Sequence, residues 1–235
     1  MRDVAQDVAR DVARDVGFDV GLDVARDTST RQRQWREQIA HLAARMLAED
    51  GLDDWGLAKR KAARTLGLTD SRCLPTNTEL EAALIEYQRI FDEEGQREQL
   101  HWLRSQALDL MEVFERFDPH LTGQVLSGAI GKYPTIDMHL FTDDEKAIEF
   151  YLLNQSIPYD QSQQRVFICG VAEILPSFDL NVEGTDVHLL QFSSADRRQP
   201  VRFTAEGRTV GRAGRASLRA RLDETAAPET LQGDR

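Results

Sequence analysis

Two short stretches of this chain carry residue types that hold metal ions, Asp137-Met-His139 and Asp186-Val-His188. Both lie in runs rich in apolar and β-branched residues, Thr135–Phe141 and Asp186–Phe192, which read as strands. Side chains two apart on a strand share a face, so each Asp and its His point the same way. If the two strands are neighbours with matched faces, two carboxylates and two imidazoles converge. Asp137, His139, Asp186 and His188 would then hold an ion softer than Mg²⁺, such as Mn²⁺ or Zn²⁺. No nucleophile triad competes with this reading, because Ser127 and Ser193 lack a nucleophile-elbow context. Cys73 and Cys169 are far apart and fit no zinc or disulfide spacing.

The elements that must position these residues fall into two halves. Ile39, Leu42, Ala43, Met46 and Leu47 recur at helical spacing, and Gly51 ends the run. A second helix is predicted over Asp54–Leu66. A third opens at Thr76-Asn-Thr-Glu79, a capping-box pattern, and its stripe is Leu80, Ala83, Leu84, Tyr87, Ile90 and Phe91. A fourth carries Leu100, Leu103, Ala107, Leu110, Met111, Phe114 and Phe117, and Pro119 stops it. Beyond it the pattern mixes. Gly123–Ile130 reads as a short helix or turn, and Thr142-Asp-Asp-Glu145 as a capping box opening a helix through Leu153. Arg165–Ala172 reads as a further strand and Arg212–Leu222 as a last helix. The fold class is α+β, a helical segment over 31–118 packed on a small mixed sheet over 119–222.

The two ends differ from this body. Asp recurs at every fourth position from 3 to 27, as in Asp-Val-Ala-Arg. On a helix such a stripe winds around the cylinder and leaves no fixed apolar face, so residues 1–30 read as low-complexity. Residues 223–235 read as a loose tail. The net charge is −11, and these two ends supply six of the eleven. The opening residues lack the apolar run of a signal peptide, and no stretch is long and apolar enough to span a bilayer. The expectation is a cytoplasmic protein with no membrane partner; a protein partner is compatible with it.

Trp55–Leu68 resembles a helix-turn-helix phrase, with Lys59, Arg60, Lys61 and Arg64 placed to meet DNA phosphates. Glu49, Asp50, Asp53 and Asp54 just upstream cancel that charge, which disfavours a nucleic-acid partner.

The segment Leu121-Thr-Gly-Gln-Val-Leu-Ser-Gly-Ala-Ile-Gly-Lys-Tyr-Pro-Thr-Ile-Asp-Met-His-Leu-Phe141 resembles the nucleotidyltransferase superfamily with a DNA-polymerase-β-like core. That pattern is an apolar residue, Gly-Gly or Gly-Ser, a spacer, then carboxylate-apolar-carboxylate on a strand. Its glycine turn brings backbone N–H groups up to a triphosphate, and its paired carboxylates hold two divalent ions. The resemblance extends loosely over residues 31–222. It implies Asp137 as the catalytic metal-binding acid, with Gly123, Gln124, Gly128 and Lys132 around the phosphates. It implies Mg²⁺ or Mn²⁺ as cofactor and a nucleoside triphosphate as partner. Gln124 stands where Gly or Ser is usual. The acid pair is incomplete in either register: Asp137 with His139 after it, or Asp137 with Thr135 before it. Asp186 is the nearest match to the third carboxylate. The resemblance therefore implies either transfer of a nucleotidyl group to an acceptor or a catalytically degenerate relative that binds nucleotide or protein.

Overall fold

The computed structural model describes residues 30–226, apart from 53, 69–72 and 205–206. The Asp-Val tetrads and the tail beyond 226 lie outside the described residues. Helix α1 covers 30–49 and buries Ile39, Ala43, Met46 and Leu47. Helix α2 is Trp55–Thr65, and the Asp54 carboxylate caps it by accepting from the Leu57 N–H at 3.0 Å. Helix α3 is Asn77–Phe91. Its expected capping box forms: Thr76 Oγ1 accepts from the Glu79 N–H at 3.2 Å, and Glu79 accepts from the Thr76 N–H at 2.7 Å. These three helices share one apolar core that includes Ile39, Leu47, Ala62, Leu80 and Leu84. Ile90 and Phe91, expected inside, are 63% and 69% exposed. Asp92 leaves helical geometry and ends α3, and the Phe91 ring lies 4.5 Å from that of Tyr87 on the helix surface.

Helix α4, Glu93–Val113, ends four residues sooner than the apolar stripe suggests, and Glu115–Phe117 form a 3₁₀ turn. Asp118 then adopts φ +46°, which breaks the helix. Leu103, Ala107, Leu110 and Met111 of α4 pack with Phe114 and Phe117 into a second core beneath the sheet. The sheet contains β1 (His120–Thr122), β2 (Thr135–Phe141), β3 (Asp160–Ile168), β4 (Val171–Val182), β5 (Thr185–Phe192) and β6 (Val201–Arg202). Helices α5 (Gly123–Ser127) and α6 (Ala147–Asn154) intervene, and α7 (Arg215–Ala226) follows. Strand order is β1-β2-β5-β4-β3-β6, with β2 and β5 parallel and the other pairs antiparallel. The fold is thus α+β, a helical segment beside a mixed sheet. Among the described residues no helix is long and apolar enough to cross a membrane.

Three local expectations change. The run read as one strand over Arg165–Ala172 is a hairpin. Cys169 and Gly170, at φ +51° and +88°, make a two-residue turn whose twist matches the flanking strands. The Thr142 box does not start a helix, because Asp143 instead accepts from the Ser194 N–H at 2.9 Å and ties this loop to the end of β5. Helix α6 begins only at Ala147. Arg212 precedes the last helix rather than opening it, and its guanidinium is held by the sheet.

The sheet has two unlike faces. Ile136, Met138, Leu140, Phe178, Val187 and Leu189 face the second core. On the other face Phe141, Val166, Ile168, Leu190, Phe192 and Val201 form a third apolar layer. The remaining end of that face carries Thr135, Asp137, Asp179, Asn181, Asp186 and His188.

Candidate functional site

The polar end of the sheet is organised by register. Thr122, Asp137, His188 and Asp179 form one row across β1, β2, β5 and β4. Cross-strand partners share a face, so these four side chains stand side by side. Thr122 is buried, and its hydroxyl has no hydrogen-bond partner among the described residues. The Asp137 carboxylate lies directly against the backbone of Gly123, which has φ +68°. A β-carbon at 123 would overlap the carboxylate oxygen and stand 3.0 Å from its Cγ, so only glycine fits.

His188 lies between two acids. Its Nδ1 is 3.6 Å from Asp137 Oδ1 and its Nε2 is 3.8 Å from Asp179 Oδ1. These are ion-pair distances with room to tighten into hydrogen bonds. Asp137 as hydrogen-bond acceptor raises the His188 pKa above its ordinary value; partial burial opposes this, and the charges of Asp137 and Asp179 add to it. Because the folded pKa lies above the unfolded one, the stabilisation is fully present below the unfolded pKa. It fades as pH rises through the folded value. The stability lost in His188→Gln, measured by urea unfolding, is therefore expected to be larger at pH 5.5 than at pH 8.5. Equal losses at both pH values would show that His188 is not charged by its neighbours.

Asp137 and Gly123 border a cleft of about 530 Å³, within the range of small-molecule sites. Its opposite wall comes from the helical segment, through Trp55, Asn77 and Glu81, and from the loop after β6, through Phe203 and Arg208. Arg208 Nη1 donates to Thr78 Oγ1 at 3.1 Å and closes the two walls together. A larger cleft of about 1040 Å³ lies between the 142–146 loop and the β3–β4 hairpin, and contains none of the sequence-derived candidates.

The other candidates separate from Asp137. Gln124 borders the cleft, but its Oε1 accepts from the Gly131 N–H at 3.2 Å and braces the following loop. Gly128 ends α5 at φ +92°, buried beside Leu100. The Lys132 ammonium donates to the Glu49 carbonyl at 3.1 Å and borders other clefts. His139 is buried, and its Nδ1 accepts from Arg212 Nε at 2.8 Å. Burial, then the Arg212 charge, holds it neutral, well below the ordinary histidine pKa. Asp186 is exposed and accepts from Asn181 at 2.8 Å.

Strands β2 and β5 are neighbours with matched faces, as the four-ligand reading requires. Register nevertheless sets Asp137 opposite His188, Asp186 opposite Thr135 and His139 opposite Leu190. The two Asp-x-His motifs are out of step, and the four residues do not converge. Among the described residues no three His, Cys, Asp or Glu side chains are grouped to hold a metal. A single Mg²⁺ or Mn²⁺ asks less of the protein, namely one or two carboxylates, with substrate phosphates and water completing the shell. Asp137 meets that need for one ion. A second ion needs another carboxylate close by, and the row offers Thr122 and His188 instead.

The DNA-reading face is also occupied. Lys59 donates to the Pro75 carbonyl at 3.0 Å and to Asn77 at 2.7 Å. Arg60 pairs with Asp54 and Lys61 with Asp50. Residues 66–76 separate α2 from α3, longer than a helix-turn-helix connection. Sequence reasoning missed Asp179 and the helical wall of the cleft. No known family model, curated protein or solved structure matches this chain.

Proposed function

We propose that the chain is a nucleotidyltransferase-like protein that binds a nucleoside triphosphate with one divalent cation at the Asp137 cleft. The observation that supports this most is the closed contact between the Gly123 turn and the Asp137 carboxylate at the edge of that cleft. The two residues belong to one motif: β1–β2 pairing sets Thr122 opposite Asp137, and the glycine turn that follows leaves room for the carboxylate. In this reading Asp137 holds the cation, which offsets phosphate charge. His188 orients Asp137, and the missing side chain at 123 makes room for the Asp137 carboxylate at the edge of the cleft.

The site is built for binding more than for transfer. Two-ion nucleotidyl transfer aligns attacking and leaving oxygens between paired cations. Thr135 stands two residues before Asp137, and His188 stands beside it, so a second ion lacks its acid. A site for cellular triphosphates is consistent with a cytoplasmic protein. Titration of Mn²⁺ by electron paramagnetic resonance, with a non-hydrolysable triphosphate present, is expected to count one bound ion per chain. An α-labelled triphosphate is expected to give no transferred label. Two ions per chain, or labelled product, would overturn the binding-only reading.

A further inference from the structure

We infer that the cleft selects guanine, read by Glu81. The inference rests on the nucleotide-binding reading above and adds the identity of the base. Trp55 at the start of α2 and Phe203 after β6 both line the cleft, and Phe203 is 44% exposed. Aromatic faces in a cleft suit stacking on any base, so selectivity must come from polar groups.

Those groups lie on α3. Asn77 and Glu81 are four residues apart, on one face of the helix, and both line the cleft. The Glu81 carboxylate is half-buried and makes no hydrogen bond or ion pair among the described residues. An ionised carboxylate only accepts. The Asn77 carbonyl oxygen is taken by the Lys59 ammonium at 2.7 Å, which leaves its NH₂ to donate. Thr78 Oγ1 accepts from Arg208, so its own O–H is also left to donate. The wall thus offers a two-oxygen acceptor next to donors.

Only guanine complements that pattern. Its Watson–Crick edge sets two adjacent donors, N1–H and the 2-amino group, beside the O6 acceptor. Adenine and cytosine turn a ring-nitrogen acceptor toward the carboxylate. Uracil flanks its one N–H with two carbonyl oxygens. Each of these leaves Glu81 unpaired or facing a lone pair, and an unsatisfied buried group is what makes such sites selective.

The test is calorimetric titration of GTP, ATP, CTP and UTP, each with Mg²⁺, into the full chain. GTP is expected to bind at least about tenfold more tightly than the other three. Glu81→Gln and Glu81→Ala are expected to remove that preference, so that GTP binds no more tightly than the other three nucleotides. Glu81 has no partner to lose among the described residues, so both variants are expected to keep the wild-type circular dichroism. If all four bind equally and the variants change nothing, the guanine inference fails and nucleotide binding stands. If none binds, the nucleotide reading fails and takes the inference with it.

Discussion

Gly123→Ala is expected to lower stability by about 2–4 kcal/mol and to abolish nucleotide binding. The left-handed backbone at φ +68° costs alanine about 1 kcal/mol or more by itself. The added methyl also meets the Asp137 carboxylate, with Cγ at 3.0 Å and Cβ at 3.2 Å. Asp137 is fixed at the centre of a paired strand, so it moves only by rotating away from the cleft. Stability and function are thereby lost through one atom. Urea unfolding measures the first and calorimetry the second. A Gly123→Ala protein of wild-type stability that still binds nucleotide would show that the contact is incidental.

Arg212→Met is expected to cost a further large amount, about 2–4 kcal/mol, without touching the cleft directly. Arg212 Nη1 donates to the carbonyls of Asp196, Arg197 and Gln199 at 3.0–3.2 Å. Its Nε donates to His139, and its guanidinium lies 5.2 Å and 4.9 Å from the rings of Phe141 and Phe192. Methionine keeps the stem's packing and leaves the carbonyls and the buried imidazole without their donor. Arg212→Lys keeps the charge but lacks the planar fork, and is expected to recover only part of the loss. Thermal unfolding of both variants orders them. If methionine were as stable as arginine, the hydrogen bonds would contribute nothing net and the packing alone would hold this loop.

The α+β class was readable from the chain because local rules and tertiary packing agree there. The Thr76–Glu79 box forms, and the stripes of α1 and α4 are buried. Gly123 and Asp137 were readable as a pair because both sit in one short motif. Register was the harder quantity. Reading Arg165–Ala172 as one strand hid the Cys169-Gly170 turn. Missing Glu183-Gly184 hid the partner of His188. A two-residue turn at 183–184 pairs Val182 with Thr185, and counting back along both strands sets Asp179 opposite His188. That turn was in the sequence as a residue-glycine doublet between two apolar runs.

Other features had no local signal. Period two correctly places His139 on the face of Asp137, yet His139 lies under an apolar layer closed by Arg212, 73 residues later. The far wall of the cleft joins residues 55–81 to residues 203–211, a contact that no short window contains. Ile90 and Phe91 obey the helical stripe of α3 and still face outward.

The central claim is that Asp137 holds a divalent cation against nucleotide phosphates in this cleft. Parallel calorimetric titrations of Mg²⁺-triphosphate into the wild-type chain and into Asp137→Asn test it most directly. Asparagine keeps the shape beside Gly123 and removes the charge. Wild type is expected to bind saturably, to lose affinity when Mg²⁺ is chelated, and to bind at least about tenfold more tightly than the variant. Equal binding by both proteins, or binding indifferent to Mg²⁺, would contradict the assignment of the cation to Asp137.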